Sequence, residues 1–149
     1  MTILKNEIEI NASVEKIWAV LADMPTLEKY DPTVLKVELL SKDRTGIDAK
    51  RKVYMKDGKN WFEEKIVSFQ PDHSLAIQLT NCTFPINSLK RTYSFSTNSG
   101  MTVVHQTMEY EVKFGFVGKL MDALVVRKQF NNGINQFMQG LKHIVEESR

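Results

Sequence analysis

Hydrophobic and polar positions alternate at the start of the chain and then change to helical spacing. A first strand is predicted over residues 3–10, where Ile8 and Ile10 alternate with Glu7 and Glu9. Apolar positions then recur at helical spacing over residues 14–21, directly after Ser13, whose hydroxyl suits the free amides of a first helical turn. Pro25 has no amide hydrogen, so it ends this helix or begins the next one, and a short second helix is expected over residues 26–30.

A period of two returns after the second helix and continues over most of the remaining chain. Asp57-Gly58 is a strong hairpin signal, and further turn residues separate the other apolar runs. Consecutive strands joined by short turns favour an antiparallel sheet. In the first of these strands, Leu35, Val37 and Leu39 are expected to share one face. The strands are expected over residues 34–39, 49–55, 60–69, 75–79, 89–95 and 101–112.

The last part of the chain has the pattern of one long amphipathic helix, from about residue 117 to residue 147. Gly133 and Gly140 lie inside it; each permits a close approach to the sheet, widens a cavity beneath the helix, or is a plain surface glycine. A sheet with one apolar face needs a cover, and we expect this helix across the concave face with a mostly apolar space beneath it. Seven apolar positions can share one face of the helix: Leu120, Leu124, Phe130, Ile134, Phe137, Leu141 and Ile144.

Composition indicates a soluble globular domain rather than a fibrous, disordered or membrane-spanning chain. A length of 149 residues suits one domain, residues 1–149, and 42% hydrophobic with 26% charged residues is ordinary for such a domain. The formal net charge of +2 is small for a dedicated nucleic-acid binder, and no apolar run approaches the ~20 residues that cross a bilayer. With no visible targeting segment and a lone Cys82, a cytoplasmic location is expected.

Four segments of the chain carry a family pattern. They are the strand-to-helix stretch of residues 10–24, which contains Ser13, Trp18 and Asp23, then Tyr30-Asp31-Pro32, the hairpin of residues 64–75 and the closing residues 130–146. Together they resemble the SRPBCC superfamily, which groups START, birch-pollen-allergen and polyketide cyclase/dehydrase proteins. The resemblance implies an α+β helix-grip fold: a curved antiparallel sheet wrapped around a long C-terminal helix, with two short helices after the first strand. It also implies a hydrophobic cavity for lipids, sterols, polyketides or related small molecules, and some relatives are cyclases or hydrolases.

No catalytic, cofactor or metal motif is recognisable in the sequence. His73, His105 and His143 lack metal-ligand spacing, and Cys82 is remote from each of them in sequence. His105 alternates away from the apolar positions of its strand, so we expect it to be solvated. Neither a phosphate-binding Gly-rich loop nor a Gly-x-Ser-x-Gly elbow is present. We therefore assign no catalytic residue, no metal and no cofactor.

Four polar side chains fall in the apolar phase of the predicted strands. Arg51, Glu64, Arg91 and Gln106 would thus face the interior, where an unpaired charge is expensive. One interpretation is a bridge between Glu64 and an arginine that closes one end of the fold. The other is a polar anchor for the carboxylate, phosphate or carbonyl of a ligand. Eight neighbours in the same phase or on the last helix complete the candidate ligand-binding set: Phe62, Ile66, Tyr93, Met108, Tyr110, Phe130, Ile134 and Phe137.

The favoured function is binding, and in one version transport, of a small hydrophobic or amphipathic molecule such as a lipid or a polyketide. The ligand would lie between the sheet and the last helix, where apolar burial supplies most of the affinity. A first alternative is a cyclase- or dehydratase-like enzyme that uses Tyr93, Tyr110, Arg51 or Glu64 to donate a proton or orient the substrate. A second alternative is a protein-interaction module, which a large exposed apolar patch would favour.

Overall fold

Seven strands form one antiparallel sheet in the order β1-β7-β6-β5-β4-β3-β2. The computed structural model describes residues 1–115, 117, 120 and 125–147. The strands are β1 (Thr2–Ile10), β2 (Val34–Leu39), β3 (Lys50–Met55), β4 (Trp61–Gln70), β5 (Ser74–Cys82), β6 (Ile86–Asn98) and β7 (Met101–Val112). Strands β2 to β7 are each paired with their neighbour in sequence, and β1 pairs with β7 at the far edge. The predicted antiparallel run of strands is confirmed.

The helices lie after β1 and at the end of the chain. They are α1 (Val14–Leu21), a short 3-10 helix (Met24–Thr26), α2 (Leu27–Tyr30) and α3 (Arg127–Glu147). Ser13 caps α1 as predicted, because its Oγ accepts a hydrogen bond from the Lys16 amide at 3.3 Å. Pro25 lies in the first turn of the 3-10 helix, where its missing amide hydrogen costs nothing.

Helix α3 packs across the curved sheet and confirms the helix-grip fold. The ring of Phe137 lies 5.9 Å from that of Tyr93 on β6, and the ring of Phe130 lies 4.8 Å from that of Tyr110 on β7. Five side chains of α3 are buried: Ile134, Phe137, Met138, Leu141 and Val145. The core therefore lies between the inner face of the sheet and this helix, with α1 and α2 covering one end.

The apolar stripe of the last helix is shorter than its periodicity predicts. Leu120 is 57% exposed, so its assignment to the buried face is wrong. Leu124 lies outside the described residues. Within α3 the stripe begins at the half-buried Phe130. A helical repeat shows which side chains share a face, but it does not show how far a supporting sheet extends beneath them.

A bulge in β2 changes which of its side chains are buried. The pairing with β3 shifts between Val34 and Lys36, and the extra residue turns Leu35 outward, where it is 60% exposed. Val34 and Val37 are buried instead. The expectation that Leu35, Val37 and Leu39 share one face is therefore wrong at Leu35.

Gly140 permits a close approach, but to α2 and not to the sheet. A Cβ atom at Gly140 would lie 1.9 Å from the Tyr30 carbonyl oxygen, well inside contact distance. A Cβ at Gly133 would meet nothing within 4 Å, so that glycine lies over open space. The helix pair after β1 can therefore lie directly against α3, and the Tyr30 ring packs 5.6 Å from that of Phe137.

Candidate functional site

Three charged side chains form a buried ion-paired triad on the inner face of the sheet. Arg51 on β3 donates from Nε to Glu64 Oε2 at 2.7 Å, and Arg91 on β6 donates from Nη2 to Glu64 Oε1 at 2.6 Å. Arg51 and Glu64 are only 2% and 1% exposed, whereas the Arg91 side chain is 12% exposed. The predicted inward orientation of all three is correct, and the triad joins three strands of the sheet. Because two guanidinium groups share one carboxylate, the triad retains one positive charge.

The pKa values of Glu64 and Arg91 follow from this geometry. Burial alone would raise the pKa of Glu64, but the guanidinium groups of Arg91 and Arg51 hold it below its ordinary value of 4.5. Burial disfavours the charge of Arg91, yet the Glu64 carboxylate raises its pKa above the ordinary value. Glu64 and Arg91 are therefore charged at neutral pH, and both arginines depend on Glu64 for compensation.

The 3-10 helix completes the coordination of Arg51. Its Nη1 donates to the backbone carbonyl of Met24 at 2.9 Å. Two contacts with Arg44 fix the position of Met24. The neighbouring Asp23 accepts two hydrogen bonds from the Arg44 side chain at 2.9 and 2.7 Å, and the Met24 amide donates to the Arg44 carbonyl at 2.9 Å. Met24 therefore accepts a hydrogen bond from Arg51 and also connects the 3-10 helix to the loop before β3.

Tyr93 extends the polar cluster toward the middle of the sheet. Its hydroxyl accepts a hydrogen bond from Arg91 Nη1 at 3.0 Å, and the side chain is fully buried. Burial raises the pKa of Tyr93 to about 12. The hydroxyl therefore stays protonated at neutral pH and can donate a hydrogen bond, but it cannot act there as a base.

Gln106 is a further polar side chain of the interior, close to this cluster. It faces the interior from β7, directly opposite Tyr93 on β6 and Asn6 on β1, and it is 2% exposed. Among the residues that the structure describes, neither its Nε2 nor its Oε1 has a hydrogen-bond partner. Within the described part of the chain, the amide of Gln106 is thus buried with its hydrogen-bonding capacity unused.

The structure brings the other candidate residues to the same interior. Ile66, Met108, Tyr110, Ile134 and Phe137 are buried in the core, and Phe62 and Phe130 are half-buried against it. All twelve candidates therefore lie on the inner face of the sheet or on the packed face of α3. That they line a ligand cavity remains a prediction.

A groove of about 590 Å³ lies elsewhere, at the surface beside α2 and α3. A second groove of about 320 Å³ shares Tyr30, Gly140 and His143 with it. The larger one is lined by Tyr30, Pro32, Asn135, Gln136, Gln139, Gly140 and His143. Both grooves are open to the surface, so they are distinct from the space predicted beneath α3.

Sequence reasoning missed two contributors to the interior. Asn6 lies on β1 opposite Gln106, and its Nδ2 reaches the Oδ1 of Asn131 on α3 at 3.5 Å. Its position in phase with Ile8 and Ile10 was a sufficient signal. The role of the Met24 carbonyl could not be predicted in this way, because the pattern of side chains does not show which backbone oxygen accepts a hydrogen bond. His105, in contrast, lies on the outer face as predicted, within 3.1 Å of Glu7.

We expect the stabilising effect of Glu64 to disappear in acid. A carboxyl group with a depressed pKa in the folded state stabilises the fold above its unfolded pKa, and this stabilisation is lost as the pH falls through the folded pKa. The difference in unfolding free energy between the native protein and Glu64→Gln should therefore be constant from about pH 7 to about pH 5 and shrink below about pH 4. Urea unfolding at each pH measures it. A difference that grows in acid would contradict the depressed pKa.

The described residues contain neither a membrane-spanning helix nor a metal-binding cluster. No helix among them is long and apolar enough to cross a membrane. No three of their His, Cys, Asp and Glu side chains are grouped so that they could hold a metal ion.

Comparison with known proteins gives a family and a fold. A family model described as "Polyketide cyclase / dehydrase and lipid transport" matches residues 1–146. No curated protein sequence matches the chain.

Solved structures match at low sequence identity. A protein from Thermus thermophilus has a TM-score of 0.82 and 18% identity, over 99% of both chains. A START superfamily protein from Mycobacterium smegmatis has a TM-score of 0.79 and 15% identity, again over 99% of both chains. The Zhui aromatase/cyclase from a Streptomyces species has a TM-score of 0.77 and 13% identity, over 97% of this chain and 93% of that one. At these identities the likeness concerns the fold alone.

Proposed function

We propose that this chain, which belongs to the polyketide cyclase / dehydrase and lipid transport family, binds a small, mostly apolar molecule between its sheet and α3. The observation that carries the proposal is the triad of Arg51, Glu64 and Arg91 within a mostly apolar inner face. Replacing a buried ion-paired cluster by apolar side chains is often neutral or stabilising, so folding alone gives little reason for it.

The charge of the triad indicates the kind of ligand. One positive charge remains after Glu64 is shared, and Arg91 is the least buried member. An oxygen-bearing group at one end of the ligand would be attracted to this region, while the aromatic and aliphatic side chains around it would bury the rest. The ligand is therefore a small hydrophobic or amphipathic molecule with a carbonyl, carboxylate or similar group, as in many lipids and polyketides.

Native mass spectrometry of protein purified without denaturation tests binding directly. We expect a species heavier than the chain alone by the mass of one small molecule, which organic solvent extracts. The protein should also bind 1-anilinonaphthalene-8-sulfonate, and the extract should displace the dye. A chain that carries no small molecule and binds no dye would contradict the proposal.

Two tryptophan variants then distinguish the interior from the surface groove. Ile134→Trp would place a larger ring in the proposed ligand space beneath α3, where Ile134 is buried, and should weaken dye binding at least about tenfold. Gln139→Trp, on the exposed wall of the groove, should bind the dye like the native protein. The opposite result would place the ligand in the groove and refute the interior site. If Ile134→Trp does not fold, the dye is added to the native protein and the amide shifts are followed in ¹⁵N spectra. Shifts at Tyr93 and Phe137 indicate the interior site, and shifts at Gln139 and His143 indicate the groove.

A further inference from the structure

The buried amide of Gln106 is an unexplained feature of the interior. The backbone of this residue takes part in the pairing of β7 with β1 and β6, so the side chain is not needed for the sheet. A glutamine amide can donate two hydrogen bonds and accept two. An amide buried without partners lowers stability, and an apolar side chain of the same length would avoid that loss.

Each of the two residues directly opposite Gln106 already makes one hydrogen bond elsewhere. The Tyr93 hydroxyl accepts from Arg91, and the Asn6 amide reaches Asn131. The positions before and after Gln106 on the inner face of β7 are Val104 and Met108, which are apolar.

We propose that Gln106 is the recognition point for an uncharged carbonyl group that carries an adjoining N–H or O–H, as in a carboxamide or a hydroxy-ketone. Such a group accepts from Nε2 and donates to Oε1, so it satisfies both halves of the amide at once. A carboxylate has no hydrogen to give to Oε1, and a simple ketone or ester has none either. The Tyr93 hydroxyl lies on the neighbouring strand and can donate a further hydrogen bond to the same carbonyl.

The inference rests on the proposed function, because the rest of such a ligand must be buried beneath α3. It narrows the ligand class from amphipathic molecules in general to those with a paired acceptor and donor. The triad then provides a positive field near the carbonyl oxygen of the ligand, and Gln106 Oε1 accepts a hydrogen bond from the adjoining N–H or O–H.

Octanamide and 2-nonanone are the probes, because they differ only in an NH2 group that replaces a CH3 group. The native protein should bind octanamide about tenfold more tightly than 2-nonanone, the effect of one well-formed hydrogen-bond pair. In Gln106→Met the affinity for octanamide should fall about tenfold, while that for 2-nonanone should stay within about twofold. The melting temperature of the unliganded variant should be equal to or higher than that of the native protein.

Each other outcome overturns the inference in a recognisable way. If the native protein binds both probes equally, the role of Gln106 is refuted and the proposed function stands. If it binds neither, both are refuted. If Gln106→Met is less stable and the ratio of affinities is unchanged, the amide holds a structural water only. If the variant does not fold, the side-chain NH2 resonances of Gln106 in the native protein decide, since they should shift with octanamide and not with 2-nonanone.

Discussion

Glu64→Gln is expected to lower the free energy of unfolding by about 3–5 kcal/mol, the usual cost of removing one partner from a deeply buried ion pair. Glutamine keeps the size of the side chain but loses the charge that compensates Arg51 and Arg91. Both guanidinium groups donate to this one carboxylate at 2.6 to 2.7 Å, so its loss affects the buried Arg51 and the largely buried Arg91 together. Chemical unfolding at neutral pH measures the effect.

Glu63→Gln is the matched control. Glu63 is the preceding residue of β4 and points to the other side of the sheet, where it pairs in register with Lys52. Its replacement should change the unfolding free energy by no more than about 0.5 kcal/mol, as is usual for substitutions away from buried networks. A loss below about 1 kcal/mol in Glu64→Gln, or equal losses in both variants, would show that the triad does not contribute to stability as its geometry indicates.

The orientation of the triad could be predicted from sequence because β3, β4 and β6 alternate regularly there. Arg51, Glu64 and Arg91 each lie in phase with buried apolar neighbours, and a period of two sends every second side chain inward. Which arginine Glu64 would meet could not be predicted in the same way. The choice of arginine depends on strand order and on the register shift between Glu63 and Glu64 in the pairing with β5. Neither can be predicted from the local period of hydrophobic positions.

The remaining errors have similar physical causes. The bulge at Val34 and Lys36 is a property of two paired strands, so the pattern of β2 alone misplaced Leu35. Leu120 continues the helical repeat although it is exposed. The sequence pattern predicts that the amide of Gln106 faces inward, but only the three-dimensional structure shows that no described residue is its hydrogen-bond partner.

The sequence pattern marks Gly140 as a position where close approach is possible, but it does not identify the neighbour. The helix that approaches α3 here is α2, whose last residue, Tyr30, is far away in sequence. The contact between Tyr30 and Gly140 forms only after the chain between them has folded into the sheet, so a local sequence pattern cannot predict it. Its consequence for stability can be predicted in detail.

Gly140→Ala is expected to lower the unfolding free energy by about 1–3 kcal/mol, as overpacking of a tight contact does. The new Cβ would lie 1.9 Å from the Tyr30 carbonyl oxygen and 2.9 Å from its carbon. These are backbone atoms at the end of α2, so relief requires that α2 and α3 separate. Since the Tyr30 ring packs against Phe137, we also expect the variant to admit more 1-anilinonaphthalene-8-sulfonate at the same protein concentration.

Gly133→Ala isolates this contact from the intrinsic effect of removing a glycine from a helix. Both glycines lie within α3, and alanine is the better helix former by roughly 1 kcal/mol. At Gly133 the added Cβ meets nothing within 4 Å, so that variant should be more stable than the native protein by up to this amount. Opposite signs in the two variants identify the approach of Tyr30 to Gly140 as the cause. If Gly140→Ala is stabilised like Gly133→Ala, the two helices do not lie as close as the structure places them.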